Sequence, residues 1–223
     1  MIEFRKVRRV YGRGEATAIA LRGVDMTIKQ GEFAAIMGPS GSGKSTSMNI
    51  IGCLDSPTDG EYRFGGASVG GLSRDKKAML RREYIGFIFQ GFNLLGRTTA
   101  RENVELPLIY RGINAKTRRK MAMEALEQVG LARFESHTPA ELSGGQQQRV
   151  AIARAIVTKP LVLLADEPTG NLDSVRSKEV MELLGSFNRD RRITIVMVTH
   201  EEDMAKYAGR IIRFRDGAIE ADQ

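Results

Sequence analysis

Gly38-Pro39-Ser40-Gly41-Ser42-Gly43-Lys44-Ser45-Thr46 fits the phosphate-binding pattern G-x-x-x-x-G-K-[ST] without a gap. The three glycines let backbone N–H groups turn inward around a polyphosphate. Lys44 adds a point charge for the terminal phosphates, and the Ser45 hydroxyl is placed to hold Mg²⁺. Upstream, Phe33 to Met37 is an apolar run of strand type; downstream, Thr46 to Leu54 reads as a helix whose positive end would face the phosphates. Strand, glycine loop and helix in that order separate this stretch from an ordinary Gly/Ser connector. Gly38, Ser40, Gly41, Ser42, Gly43, Lys44, Ser45 and Thr46 are therefore expected to line a bound nucleotide.

The flanks decide the fold class. Before the loop, Glu3 to Val7 and Val24 to Ile28 alternate with period two, and a short strand is expected around Tyr62 to Phe64. From Ser73 to Val157 the pattern is mainly helical, broken by the strand-like Ile85 to Phe89. Thr99 and Glu102 form a capping box for a helix ended or kinked near Pro107, and Asn114 opens a helix that stops at Gly130. Beyond Pro160 the order is strand Leu161–Ala165, helix Ser174–Phe187, strand Ile193–Thr199, helix Glu201–Tyr207, and a hairpin turning at Asp216-Gly217. Buried strands alternating with helices predict an α/β fold with a mainly parallel core sheet and the nucleotide at the carboxyl ends of its strands.

Two further stretches carry chemistry. The apolar strand Leu161 to Ala165 runs into Asp166-Glu167. Two carboxylates at a strand end suit Mg²⁺-assisted phosphoryl transfer to water, with Asp166 in the metal's shell and Glu167 orienting or deprotonating the water. Leu142-Ser143-Gly144-Gly145-Gln146 opens a helical stretch, Gln147 to Val157. Its Ser143, Gly144 and Gly145 read either as a second anion-binding terminus or as an N-cap with flexible glycines.

With these motifs in hand, the chain resembles the nucleotide-binding subunit of an ATP-binding cassette (ABC) transporter over essentially its whole length. Residues 142–146 match that family's signature sequence, and Gln90, Asn171-Leu172-Asp173 and His200 fall where its Q-loop, D-loop and switch histidine are expected. The resemblance implies a P-loop NTPase fold with an antiparallel β subdomain and a helical subdomain, in one domain spanning 1–223. Its front, β-rich part would be about 1–90, the helical insert about 91–145 and the remaining core 146–223. It implies ATP and Mg²⁺ as cofactors, Gln90 at the metal shell, His200 at the γ-phosphate, Tyr11 stacked on adenine, and Asp173 near the nucleotide. It also implies a head-to-tail homodimer, in which Ser143, Gly144, Gly145 and Gln146 of one copy close on the nucleotide held by Lys44 of the other.

Within the family, Ala35 to Gly38, Asn49 to Asp55, Phe89 to Leu95 and Gly170 to Asp173 most resemble the group serving lipoprotein release and macrolide or peptide export. That group's partners are transmembrane permeases with a large extracytoplasmic domain. Ser47-Met48 and Gly96-Arg97-Thr98 depart from its usual residues; the second departure falls near the surface the partner should contact.

Composition bounds the alternatives. No apolar run approaches the ~20 residues of a membrane helix, and the charged start Met1 to Arg9 has no signal-peptide core. The expected location is the cytoplasmic face of the inner or plasma membrane, peripherally bound. The net charge of +7 sits in short scattered clusters, and the 6% of aromatic residues do not interleave with them. A stacking platform for single strands needs that interleaving, so no nucleic-acid partner is expected. Soluble ATPases of the family that act on DNA or ribosomes carry a long coiled-coil insertion or two cassettes, and neither fits in 223 residues. The one cysteine, Cys53, is read as a small packed side chain.

Overall fold

The computed structural model describes residues 1–12 and 14–223. Two sheets divide the strands. Strands β1 (Ile2–Tyr11), β2 (Ala18–Ile28), β4 (Asp59–Phe64) and β5 (Ala67–Ser68) form an antiparallel sheet in the order β2-β1-β4-β5. The second sheet adds β3 (Phe33–Met37), β6 (Ile85–Phe89), β7 (Val162–Asp166), β8 (Thr194–Val198), β9 (Arg210–Arg215) and β10 (Ala218–Asp222), in the order β10-β9-β3-β8-β7-β6. Every pairing in it is parallel except the closing β9–β10 hairpin.

The near-continuous apolar character of the central strands follows from burial on both faces. In β3, Phe33, Ala35 and Met37 enter one core while Ala34 and Ile36 enter the other. β7 and β8 alternate in the same way: Leu163, Ala165, Ile195 and Met197 face the first core, and Val162, Leu164, Val196 and Val198 the second. The first core is closed by helices α3 (Ala100–Tyr110), α4 (Ala115–Gln128), α5 (Gly144–Ile156) and α6 (Ser174–Arg191), and the second by α1 (Lys44–Ile51) and the antiparallel sheet. Helix α2 (Arg74–Tyr84) precedes β6, and the short α7 (Glu202–Ala205) follows β8.

Several local signals act as the sequence predicts. Thr99 and Glu102 close a reciprocal capping box, Asn114 accepts from the Thr117 N–H, and Gly130 stops α4 at φ +73°. Asp216 and Gly217 turn the terminal hairpin with both φ angles positive, as a type I′ turn requires. Cys53 is buried, and that burial pushes its thiol up.

The boundaries differ in instructive places. Helix α1 starts at Lys44, two residues before expected, because Gly43 takes the capping position at φ +104°; it stops at Ile51, capped by Gly52, short of Leu54. Pro107 does not end α3, which runs on to Tyr110. Val104 and Leu108 on either side of it are fully buried, and that packing outweighs the one helix bond a proline removes. Helix α5 begins at Gly144 instead of Gln147, since Ser143 and Gln146 cap each other. Helix α6 continues past Phe187 to Arg191, and α7 keeps only its first turn.

Candidate active site

Register puts the expected site residues along one edge of the core sheet. Ile36 pairs with Val198, Val198 with Asp166, and Asp166 with Phe89. The carboxyl ends of β3, β8, β7 and β6 are therefore level. From them emerge the glycine loop, Thr199-His200, Asp166-Glu167 and Gln90, the arrangement in which open parallel sheets bind ligands.

The loop admits no side chain at two of its glycines. A Cβ on Gly38, whose φ is +144°, would lie 2.1 Å from the Phe214 carbonyl; one on Gly43 would lie 2.7 Å from the Ala20 carbonyl. Gly41, also left-handed, faces open space. The hairpin turn braces the loop from behind, with the Gly217 N–H donating to the Ser42 carbonyl at 3.0 Å. Lys44 is 8% exposed and folds back, donating from Nζ to the Gly38 and Pro39 carbonyls at 2.8 Å each. The Ser42 hydroxyl is buried in the loop without a partner among the described residues. An orphaned hydroxyl, a folded ammonium and a cradle that excludes Cβ atoms fit a phosphate chain. Ser40 and Ser45 are exposed and Thr46 half-buried at the start of α1.

Asp166 and Glu167 are both part-buried. Burial and the like charge of Glu167 raise the Asp166 carboxyl, and Lys44 pulls it back. A cation at that point would relieve the repulsion. Among the described residues no cluster of three or more His, Cys, Asp or Glu forms a metal cage. One carboxylate and the Ser45 hydroxyl, with phosphate oxygens and water filling the rest, is the shell that Mg²⁺ accepts; bound there, the ion would neutralise charge developing on the phosphates.

Glu167 adopts a left-handed backbone at φ +44°, a conformation costing about 1–3 kcal/mol for a residue with a side chain. Its carboxylate Oε1 lies 2.8 Å from His200 Nδ1. With the ring donating to Oε1, the second carboxylate oxygen is left for a water. Gln90 packs against the same turn: its Nε2 is 2.7 Å from where a Cβ on Gly170 would stand, and its backbone carbonyl accepts from Asn171 Nδ2 at 2.9 Å.

Not every expected residue joins this group. No hydrogen bond links Ser143–Gln146 to the glycine loop among the described residues. Ser143 and Gln146 cap α5 while Gly145 lies under the aliphatic part of Arg176, whose Cδ comes 2.8 Å from a Cβ placed there. Asp173 caps α6, accepting from the Val175 and Arg176 N–H groups, and pairs with the Arg176 guanidinium at 3.0 Å. Chiefly that Arg176 backbone bond holds its carboxyl below the ordinary range.

Tyr11 stands at the end of β1, 39% exposed. Its hydroxyl donates to Asp55 Oδ2 at 2.7 Å, and the Arg9 guanidinium, 4.4 Å above one ring face, bonds the other Asp55 oxygen at 2.8 Å. Sequence reading missed this support, because Asp55 is 44 residues away and no spacing ties it to Tyr11. One ring face is thus covered and the ring is held in place. Tyr11→Ala is expected to raise the KM for nucleotide by about 5- to 100-fold with kcat little changed, on the worth of one base–aromatic stack; an unaltered KM removes Tyr11 from the site.

Comparisons with known proteins follow the same lines. A family model described as ABC transporter matches residues 21–170. The chain is 52% identical over 223 residues to the macrolide export ATP-binding/permease protein MacB of Chlorobium luteolum, covering 100% of this chain but 33% of that protein. It therefore spans about a third of the fused relatives of this kind. An ABC transporter ATP-binding protein of Methanocaldococcus jannaschii, MJ0796, is 50% identical over 227 residues, with 100% and 97% of the two chains covered. Among solved structures, a dimeric post-hydrolysis state of the MJ0796 cassette bound to ADP and Pi superposes with a TM-score of 0.92 at 47% identity, covering 100% of this chain and 98% of that one. The aligned strand ends, the glycine cradle and these matches together make the chain a member of the ABC transporter family, an ATP-hydrolysing cassette of the P-loop fold.

Proposed function

We propose that this chain is the ATP-driven motor of a membrane exporter or extractor of the macrolide-export and lipoprotein-release kind, working at the cytoplasmic face of the membrane as a pair of identical copies. The observation that carries the motor reading is the level edge where the glycine loop, the acid pair and His200 meet. In this reading residues 38–46 and Tyr11 hold the nucleotide, Ser45, Gln90 and Asp166 face Mg²⁺, and Glu167 with His200 handles the attacking water. Ser143–Gln146 and Asp173 stand apart from that cluster and are left to meet the nucleotide of a second copy. The dimeric MJ0796 structures support the pairing, and the ATP-binding/permease relative MacB supports a transmembrane partner; in this reading that partner also carries a large extracytoplasmic domain.

No helix among the described residues is long and apolar enough to cross a membrane, so in this reading the partner contributes the membrane span. Its docking point would be the groove of about 670 Å³ between α2, β6 and the ends of α3 and α5. Leu54, Met79 and Tyr110 leave apolar surface exposed there, and Phe87 stacks on Phe89 with ring centroids 5.8 Å apart. Arg81, Arg82 and Arg154 line the groove; Arg81 donates to the Cys53 carbonyl at 2.7 Å and Arg82 pairs with Glu83 beside the groove at 2.8 Å. Arg154 is committed to the Phe92 and Asn93 carbonyls, and burial pushes its guanidinium down. A short amphipathic segment carrying an acidic residue suits that lining.

Met79→Glu, placed at the exposed rim, is expected to lower recovery of the membrane partner from gentle detergent extracts by about fivefold or more while ATPase activity stays near the parental value. A partner with a large extracytoplasmic domain supports the export reading. A small multi-span permease paired with a solute-binding protein points to import, and undiminished recovery with Met79→Glu moves docking elsewhere.

A further inference from the structure

Gln148 is fully buried in α5, one turn from its start, yet it is polar. Its Nε2 donates to the Pro168 carbonyl at 2.6 Å, while its Oε1 is buried with no partner among the described residues. A leucine or methionine would fill the same space without stranding an acceptor, so packing alone does not account for the amide. The acceptor's position matters: Pro168 directly follows Glu167 and has no N–H of its own.

The turn carrying Glu167 is otherwise held by itself and by residues at the strand ends: Glu201 Oε1 accepts from the Thr169 hydroxyl at 3.2 Å, the Gln90 backbone carbonyl from Asn171 Nδ2 at 2.9 Å, and His200 Nδ1 lies 2.8 Å from Glu167 Oε1. The Glu167 N–H donates to the Val198 carbonyl at 2.9 Å, and the Glu167 carbonyl accepts from the Gly170 N–H at 3.1 Å. The bond from Gln148 reaches the same turn from a different element. Helix α5 begins with the capped Ser143 terminus that stands away from the glycine loop. We infer that Gln148 is a positioning residue for hydrolysis, tying the helix that opens at Ser143 to the turn that holds Glu167. The inference rests on the paired-copy reading above. When the Ser143 end of α5 closes on the triphosphate held by the second copy, a rigid helix carries the displacement to Pro168. Each copy's Glu167 thereby responds to the nucleotide bound across the interface, and the two sites become interdependent.

Gln148→Met keeps the volume and removes the hydrogen bond. In the full chain it is expected to lower kcat about tenfold or more with KM within about twofold, because placement and not binding is lost. The Hill coefficient for ATP should fall toward one and the melting temperature should hold. Parental kcat and Hill coefficient in Gln148→Met overturn the inference. A lowered kcat in a chain whose parental Hill coefficient is already one supports the bracing of Glu167 and removes the coupling between copies. Failure of the paired-copy reading is seen separately, as a Glu167→Gln chain that stays monomeric in saturating ATP and Mg²⁺.

Should Gln148→Met not fold, the unaltered chain still decides. The assigned ¹⁵N side-chain amide of Gln148 is expected to be protected from solvent exchange and to shift when a non-hydrolysable ATP analogue and Mg²⁺ are added. Exchange at the solvent rate, or no shift, overturns the proposal.

Discussion

Glu167→Gln is expected to lower steady-state ATP hydrolysis by about 10²- to 10⁴-fold, the usual contribution of one positioned general base. The amide keeps the size of the side chain and an oxygen to accept from His200 Nδ1, now 2.8 Å from Oε1. It takes the same left-handed backbone with the same strain. What it loses is the capacity to take a proton from water. Nucleotide affinity should therefore hold while turnover stops, and paired copies should accumulate in ATP and Mg²⁺, visible by light scattering. Full activity in this variant would assign the base to another residue.

Lys44→Ala acts at the other end of the reaction. A hydrogen bond from a charged donor is worth about 1.5–3 kcal/mol, or roughly 10- to 150-fold in affinity, and the ammonium has no replacement within the loop. The Gly38 carbonyl loses the ammonium as well, and the Pro39 carbonyl is left with the Ser42 N–H at 3.3 Å. A nucleotide titration should show weakened binding, and the nucleotide-free melting temperature should fall. These separate outcomes distinguish the ligand role from the structural one: lowered stability with intact affinity would make Lys44 a brace of its own loop and place the phosphates elsewhere.

Much of this was legible in the residues because short-range geometry is written in short-range spacing. Gly38 to Thr46 specifies a loop that must follow a strand and open a helix, and it does. Thr99 with Glu102, and Asp216 with Gly217, set their caps and turn through bonds and backbone angles a few residues apart. The misjudged boundaries are those that neighbours decide. Pro107 reads as an end or a kink until the burial of Val104 and Leu108 is known, and Gly144-Gly145 reads as an anion-binding terminus or as flexible glycines after an N-cap, with the helix counted only from Gln147, until Ser143 and Gln146 close their cap. Gln148 carried one overlooked signal: a polar residue on the apolar stripe it shares with Ala151, Ile152 and Ala155.

The residues alone specify a triphosphate cradle, a strand-end acid pair and an α/β core, because each depends on residue types at fixed local intervals. Only the folded chain decides that Ile36, Val198, Asp166 and Phe89 end level, that Asp55 and Arg9 steady Tyr11, and that Gln148 reaches Pro168. The level strand ends depend on the order β3-β8-β7-β6, which sets strands far apart in the chain side by side. The burial of two complete cores selects that order, and no local interval along the chain encodes it.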